Sequence, residues 1–217
     1  MGFDQVTRSL AAAGLILAGG GATRMGGGDK TLLSLDGKAM LAHILERIEP
    51  QLAEIAISAN GDPERFSAFA KPVLVDDDQH DLAGPLAGIL SGMRWANGLS
   101  PAKRLLTVAG DTPFLPDNLA VKLMTAVAGH PRRIAVAASA GRRHPVVALW
   151  PVELASDLGH FMADRSSLSI ARFLEGQDTV TVDFPLVAMS AGDIDPFFNV
   201  NSPEDLAQAE TLMRRHP

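Results

Sequence analysis

Between positions 17 and 30 the chain reads Leu17-Ala18-Gly19-Gly20-Gly21-Ala22-Thr23-Arg24-Met25-Gly26-Gly27-Gly28-Asp29-Lys30, with six glycines in the ten positions from 19 to 28. Backbone without Cβ atoms can take positive φ and approach a ligand closely, turning successive N–H groups toward phosphate oxygens. Arg24 and Lys30 add the positive charge that a triphosphate calls for. Two familiar phosphate loops do not fit. A Walker A loop needs glycine directly before Lys-Ser/Thr, and here Asp29 separates Gly28 from Lys30-Thr31. A Rossmann fingerprint needs a small residue where Arg24 stands.

Asp111, in Gly110-Asp111-Thr112-Pro113, is the second chemical feature. Magnesium takes one or two carboxylates and fills its other positions with substrate phosphates and water, so a single well-placed aspartate suffices. The plainer reading is an aspartate that serves the Asp-Thr-Pro turn. Asp76-Asp77-Asp78 and Asp81, followed by Gly84-Pro85-Leu86-Ala87-Gly88, form a third cluster. An acidic run is usually a solvated turn, which accounts for at least one of these carboxylates and leaves another to face a nucleotide. Backbone at Gly84 and Gly88 either passes close to a flat ring or flanks a helix start. His144-Pro145 and Asn199-Val200-Asn201 offer polar contacts to a second substrate. His43, His80, His130, His160 and His216 lack metal-ligand spacing. No serine sits in a G-x-S-x-G elbow, which disfavours that kind of hydrolase.

The elements that must position these groups follow from periodicity. Short apolar runs alternate with amphipathic stretches, the pattern of an α/β protein with a largely parallel sheet. Strands are predicted at 14–18, 54–59, 73–75, 104–109, 134–138, 146–150 and 179–182. Met40, Leu41, Ile44, Leu45 and Ile48 repeat at helical spacing, and further helices are predicted over 63–69, 86–96, 116–128, 152–162 and 168–175. Ser202, Pro203 and Asp205 mark the start of a last helix by a capping-box-like pattern. This order places the glycine loop after the first strand and Asp111 at a strand's carboxyl end, where open α/β sheets bind ligands.

Bulk properties narrow the class further. The 217 residues are enough to bury a core in one domain without disulfides. Hydrophobic and charged contents of 47% and 20% argue against disorder and coiled coil. A net charge of -6 provides no basic field for nucleic acid. The absence of cysteine excludes thiolate metal sites and cysteine nucleophiles. The apolar stretch from Leu10 to Ala22, preceded by Arg8, has the look of a secretory signal. Asp4 offsets that arginine, however, and the stretch runs straight into Thr23 and Arg24. No apolar run approaches the length of a membrane span, so the expectation is a cytoplasmic protein with no membrane partner.

The Leu17–Gly20, Arg24-Met25-Gly26 and Asp29-Lys30 segments resemble the signature of nucleotidyltransferases with the nucleotide-diphospho-sugar transferase fold. The ordered set that follows is Gly84-Pro85-Leu86-Ala87-Gly88, Asp111-Thr112-Pro113-Phe114-Leu115-Pro116, His144-Pro145 and Asn199-Val200-Asn201-Ser202-Pro203-Glu204-Asp205. It is similar to the molybdenum cofactor guanylyltransferase family over residues 14 to 210. The resemblance implies a single-domain, Rossmann-like three-layer α/β/α fold with a mostly parallel mixed sheet, spanning 1–217 with 1–13 as a loose N-terminal extension. It implies transfer of GMP from GTP to the terminal phosphate of molybdopterin, with Mg2+ as cofactor and transient contacts to cofactor-biosynthesis or acceptor proteins. The backbone of Leu17, Ala18, Gly19 and Gly20, with Lys30, Asp77, Gly84 and Asp111, would hold the nucleotide. Asp111 would bind the metal, and Arg24, Lys30 and Asp111 would carry catalysis. The family places an asparagine at the end of the second strand, where this chain reads Ser58-Ala59-Asn60, so Ser58 and Asn60 are both candidate contacts. Gly110 stands where cysteine is frequent, a departure expected to matter little. Alternatives are a cytidylyltransferase for the same pterin, a sugar-phosphate nucleotidyltransferase, and a non-catalytic nucleotide-binding or delivery module. The cytidylyl branch tends to carry alanine at Gly19.

Overall fold

The computed structural model describes residues 12–19, 29–75, 84–99, 102–164, 169–189 and 192–214. Arg24, Asp77 and Gly20, together with the rest of the glycine loop and the acidic run, lie outside the described residues.

Strands β1 (Ala12–Leu17), β4 (Glu54–Ser58), β5 (Val73–Leu74) and β6 (Arg104–Ala109) form the parallel half of a seven-stranded sheet ordered β5-β4-β1-β6-β8-β7-β9. Strand β7 (Ile134–Ser139) runs parallel to β9 (Thr179–Asp183), and β8 (Arg142–Pro151) lies antiparallel between β6 and β7. β1 begins at Ala12, two residues earlier than predicted, so Ala12 and Ala13 belong to the sheet and not to an N-terminal extension. Two small hairpins, β2 (Ser34–Leu35) with β3 (Lys38–Ala39) and β10 (Val187–Met189) with β11 (Gly192–Ile194), are too short to leave a periodic signal.

Alternation along the strands divides the core into two layers. Ala12 and Ile16 of β1, Ile55 and Ile57 of β4, and Leu106 and Val108 of β6 face one side. There they meet α1 (Met40–Ile48) and α3 (Leu119–Ala126). Ala13 and Leu15, Ala56 and Leu105 face the other side and meet α2 (Pro85–Asn97), α4 (Ala155–Ala163) and α5 (Ile170–Glu175). The result is the three-layer α/β/α arrangement that the sequence implies. Helix α1 buries all five residues of the predicted stripe. Helix α3 starts at Leu119 and not at Pro116, because the Gln51 side chain accepts from Ala120 N at 2.8 Å and donates to Pro116 O at 3.0 Å, capping the helix from a distant segment.

A third apolar cluster seats the C-terminal helix α6 (Pro203–Arg214), whose Ala209 and Leu212 pack with Leu35, Met40, Phe114 and Val200. The predicted capping box is present: Ser202 Oγ accepts from Asp205 N at 3.2 Å, and Asp205 Oδ2 accepts from the N–H groups of Asn201 and Ser202, both at 2.9 Å. No helix among the described residues is long and apolar enough to cross a membrane.

Candidate active site

Register alone brings the candidate residues together. Leu17 at the end of β1 pairs with Ser58 of β4 on one side and Ala109 of β6 on the other. Ala18 N donates to Ser58 O at 2.9 Å and Gly110 N to Leu17 O at 3.0 Å, which aligns three chain exits at one edge of the sheet. Crevices beyond strand carboxyl ends are where ligands bind in such folds. Gly19 is exposed, and among the described residues no atom lies within 4 Å of the position its Cβ would take.

Asp111 stands two residues past β6, its side chain 20% exposed. Asn199 Nδ2 donates to its Oδ1 at 2.8 Å, and Val200 N donates to its main-chain carbonyl at 2.9 Å. Its Oδ2 lies 3.9 Å from Lys30 Nζ, beyond hydrogen-bond reach. Lys30 Nζ donates instead to Asn201 Oδ1 at 2.7 Å. The cation that ends the glycine loop, the carboxylate that ends β6 and the Asn199–Asn201 pair therefore form one cluster. Burial raises the Asp111 pKa above the ordinary 3.8, and Lys30, the Asn199 amide and its own backbone only partly offset that. Oδ2 of this desolvated carboxylate faces the Lys30 cation without a hydrogen bond to it. Among the described residues no group of three histidines or acids could hold a metal by itself. The donor set therefore fits an ion that draws its remaining ligands from phosphate and water, as magnesium does.

Ser58 and Asn60 part company. Ser58 is buried at 5% exposure, and its Oγ lies 2.4 Å from where a Cβ on Gly88 would be, so it faces α2 and not the crevice. That contact also explains Gly88, which lets α2 sit down on the sheet. Asn60 is exposed, beyond the strand end, and is the better placed of the two for a ligand. Gly84 caps α2 with φ 154° and ψ 168°, a conformation essentially confined to glycine, and a Cβ there would meet none of the described residues within 4 Å. Gly110 matters more than expected. A Cβ there would come within 2.4 Å of Thr31 Cγ2 and 3.0 Å of Leu17 O, so the Thr31 methyl already fills the space a side chain would need.

His144 is not open to a ligand. It is 9% exposed, its ring lies 4.7 Å from that of Phe197, and its Nε2 is 2.7 Å from Ser139 Oγ. Ser139 donates its only hydroxyl proton to Asp195 Oδ1 at 2.6 Å, so His144 Nε2 must be the donor to Ser139. A nucleophilic triad needs the serine to donate to the histidine. This arrangement, with Ser139 and His144 buried and the Asp195 side chain 30% exposed, is instead a structural knot between the β7–β8 hairpin and the segment that carries Asn199 and Asn201.

Two contacts have no sequence signal: Asn199 on Asp111, and Arg65, whose Nε donates to Asp29 Oδ2 at 3.1 Å. Partners separated by 88 and 36 residues leave no local pattern. A separate cavity of about 380 Å³ is lined by Phe114, Leu115 and Pro116, by Val187 and Met189 of β10, and by Arg47 and Asp117. None of the clustered polar groups lines it.

Comparison with known proteins adds names to this geometry. Residues 14–180 match the model of the MobA-like NTP transferase domain. A molybdenum cofactor guanylyltransferase of Mesorhizobium japonicum is 53% identical over 202 residues, covering 93% of this chain and 96% of that protein. A protein of the same name from Rhizobium meliloti is 47% identical, covering 92% and 90%. Among solved structures, molybdopterin-guanine dinucleotide biosynthesis protein A from Archaeoglobus fulgidus superposes with a TM-score of 0.69 at 21% identity, covering 93% of this chain and 98% of that one. A CMP:2-keto-3-deoxy-manno-octonic acid synthetase superposes with a TM-score of 0.72 at 16% identity, covering 95% and 99%. At these identities the structural likeness speaks to the fold alone.

Proposed function

This chain belongs to the MobA-like NTP transferase family, and on that premise we propose that it is a molybdenum cofactor guanylyltransferase acting in the cytoplasm. An oxygen of the terminal phosphate of molybdopterin attacks the α-phosphorus of GTP. The α–β phosphoanhydride bond breaks, pyrophosphate leaves, and the guanine dinucleotide form of the cofactor remains, to be passed on through transient contact with an acceptor protein. The attacking group comes from the substrate, so no protein nucleophile is needed.

The observation that carries this reading is the pairing of Lys30 with Asp111 at the exits of β1 and β6, 3.9 Å apart and backed by Asn199 and Asn201. Lys30 meets the phosphates of the nucleotide, while Leu17, Ala18, Gly19, Gly20, Asn60, Asp77 and Gly84 hold the rest of it. Asp111 would hold a magnesium ion, which supplies neutralising charge to the transferring phosphates. Arg24 adds a second cation from the glycine loop. Catalysis by such a site lies in orienting two anions and stabilising charge as it develops on the phosphorus and the leaving group.

The test is incubation with magnesium, labelled GTP and molybdopterin. Guanylylated pterin and pyrophosphate should form together, with CTP and sugar phosphates as poor substitutes. Lys30→Ala and Asp111→Asn should each lower turnover by about a hundredfold or more, the usual effect of removing one electrostatic contact to a transition state. Near-normal turnover in both would sink the assignment.

A further inference from the structure

Arg65 lies in the 3-10 turn Pro63–Phe69 that follows β4, outside every motif of the sequence. Its guanidinium reaches across to the residue that ends the glycine loop. Nε donates to Asp29 Oδ2 at 3.1 Å, Nη2 to Asn60 O at 2.7 Å, and Nη1 to Asp62 O. Asp29, with its side chain 10% exposed, spends its other oxygen on Thr31, accepting from the backbone N–H at 3.0 Å and from Oγ1 at 2.6 Å. The fork is thus committed to three acceptors on the protein and its charge is matched by a carboxylate. It is not a spare cation waiting for phosphate.

We infer that Arg65 is a positioning residue for nucleotide binding: through Asp29 it fixes the backbone from which Lys30 projects, and through Asn60 it ties the exit of β4 to the exit of β1. The inference rests on the proposed role of Lys30 as a phosphate contact. Asp29 and Lys30 are adjacent, so a shift at the Asp29 carboxylate passes to the Lys30 Cα through one peptide unit. Lysine cannot replace arginine here, because three acceptors in separate directions match a planar fork and not a point charge.

Dissociation constants for magnesium-GTP, measured by calorimetry, decide the matter for the parent protein, Arg65→Gln, Arg65→Lys, Lys30→Ala and the Lys30→Ala/Arg65→Gln double variant, with melting curves for each. Arg65→Gln should weaken binding about tenfold, the size of coupling found between groups of one network, and Arg65→Lys should not restore it. In the Lys30→Ala background the same change should have a clearly smaller effect than in the parent, since one of the two groups it positions is gone. Equal effects in both backgrounds would overturn the inference while leaving Lys30 in its role, and so would an unchanged constant in Arg65→Gln. Unchanged binding in Lys30→Ala would overturn the phosphate-contact reading itself, and the inference with it. Should Arg65→Gln fail to fold, Asp29→Asn takes its place in the cycle, because asparagine keeps the Thr31 cap and gives up the charge that Arg65 grips.

Discussion

At Asp111 the needs of the fold and of the site pull against each other. Burial disfavours the ionised carboxyl, so the folded chain gives up that proton at a higher pH than the unfolded chain does. The cost to stability is therefore absent below the ordinary value of 3.8, grows as pH rises, and is fully present above the folded pKa. Asp111→Asn keeps an acceptor for Asn199 and removes the buried charge. In the absence of nucleotide it should melt above the parent at pH 7, with the gap closing as pH falls toward the ordinary aspartate range. Identical melting curves at both ends would mean that the carboxylate is solvated after all. Asp111 and Lys30 stand out in the sequence as candidates, because the one follows a buried strand and the other a glycine loop, and the structure sets them 3.9 Å apart. Arg65 and the Asn199 amide do not, since their value lies in contacts that only the folded chain creates. Gly110 is half legible: its difference from the family is visible, but the Thr31 methyl that makes a side chain there awkward is not.

Helix α2 shows how an element sets the geometry of the site. Gly88 and Gly92 face the sheet, where a Cβ would fall 2.4 Å from Ser58 Oγ and 2.8 Å from Leu17 Cδ2 at the first, and 2.5 Å from Leu15 Cδ2 at the second. Gly88→Ala should cost about 1–3 kcal/mol, the usual range for overpacking a close contact, and should displace the ends of β1 and β4, where the proposed nucleotide site lies. A lower denaturation midpoint together with weaker GTP binding is expected. An unchanged midpoint would mean that the helix can lift off freely. Strands β1, β4 and β6 were predictable because they are short, apolar and buried. The start of β8 was not. The strand is expected only from Val146, yet Arg142-Arg143-His144-Pro145 extend it across a register shift opposite Val136 to Ala138, an irregularity where proline is tolerated.

Across the whole molecule, the C-terminal segment is pinned before it reaches the site. Asp195 accepts from Ser139 Oγ at 2.6 Å and from Phe197 N at 2.8 Å, and His144 stacks on Phe197. Asp195→Ala takes the acceptor from the buried Ser139 hydroxyl proton, so it should cost about 1–3 kcal/mol and also lower turnover, because Asn199 and Asn201 lose their mooring. Ser139→Ala removes donor and need together, and should be milder on both counts. If Asp195→Ala left turnover untouched, the knot would serve the core alone.

The reach of the Asp111–Asn199 contact, 88 residues along the chain, carries a consequence for synthesis. Lys30 and Asp111 leave the ribosome well before the asparagines that brace them. A nascent chain therefore holds the lysine and the carboxylate before it holds the amides that brace them. A chain truncated ahead of Asn199 would keep both charges unsupported, and should turn over nucleotide more slowly than the intact protein.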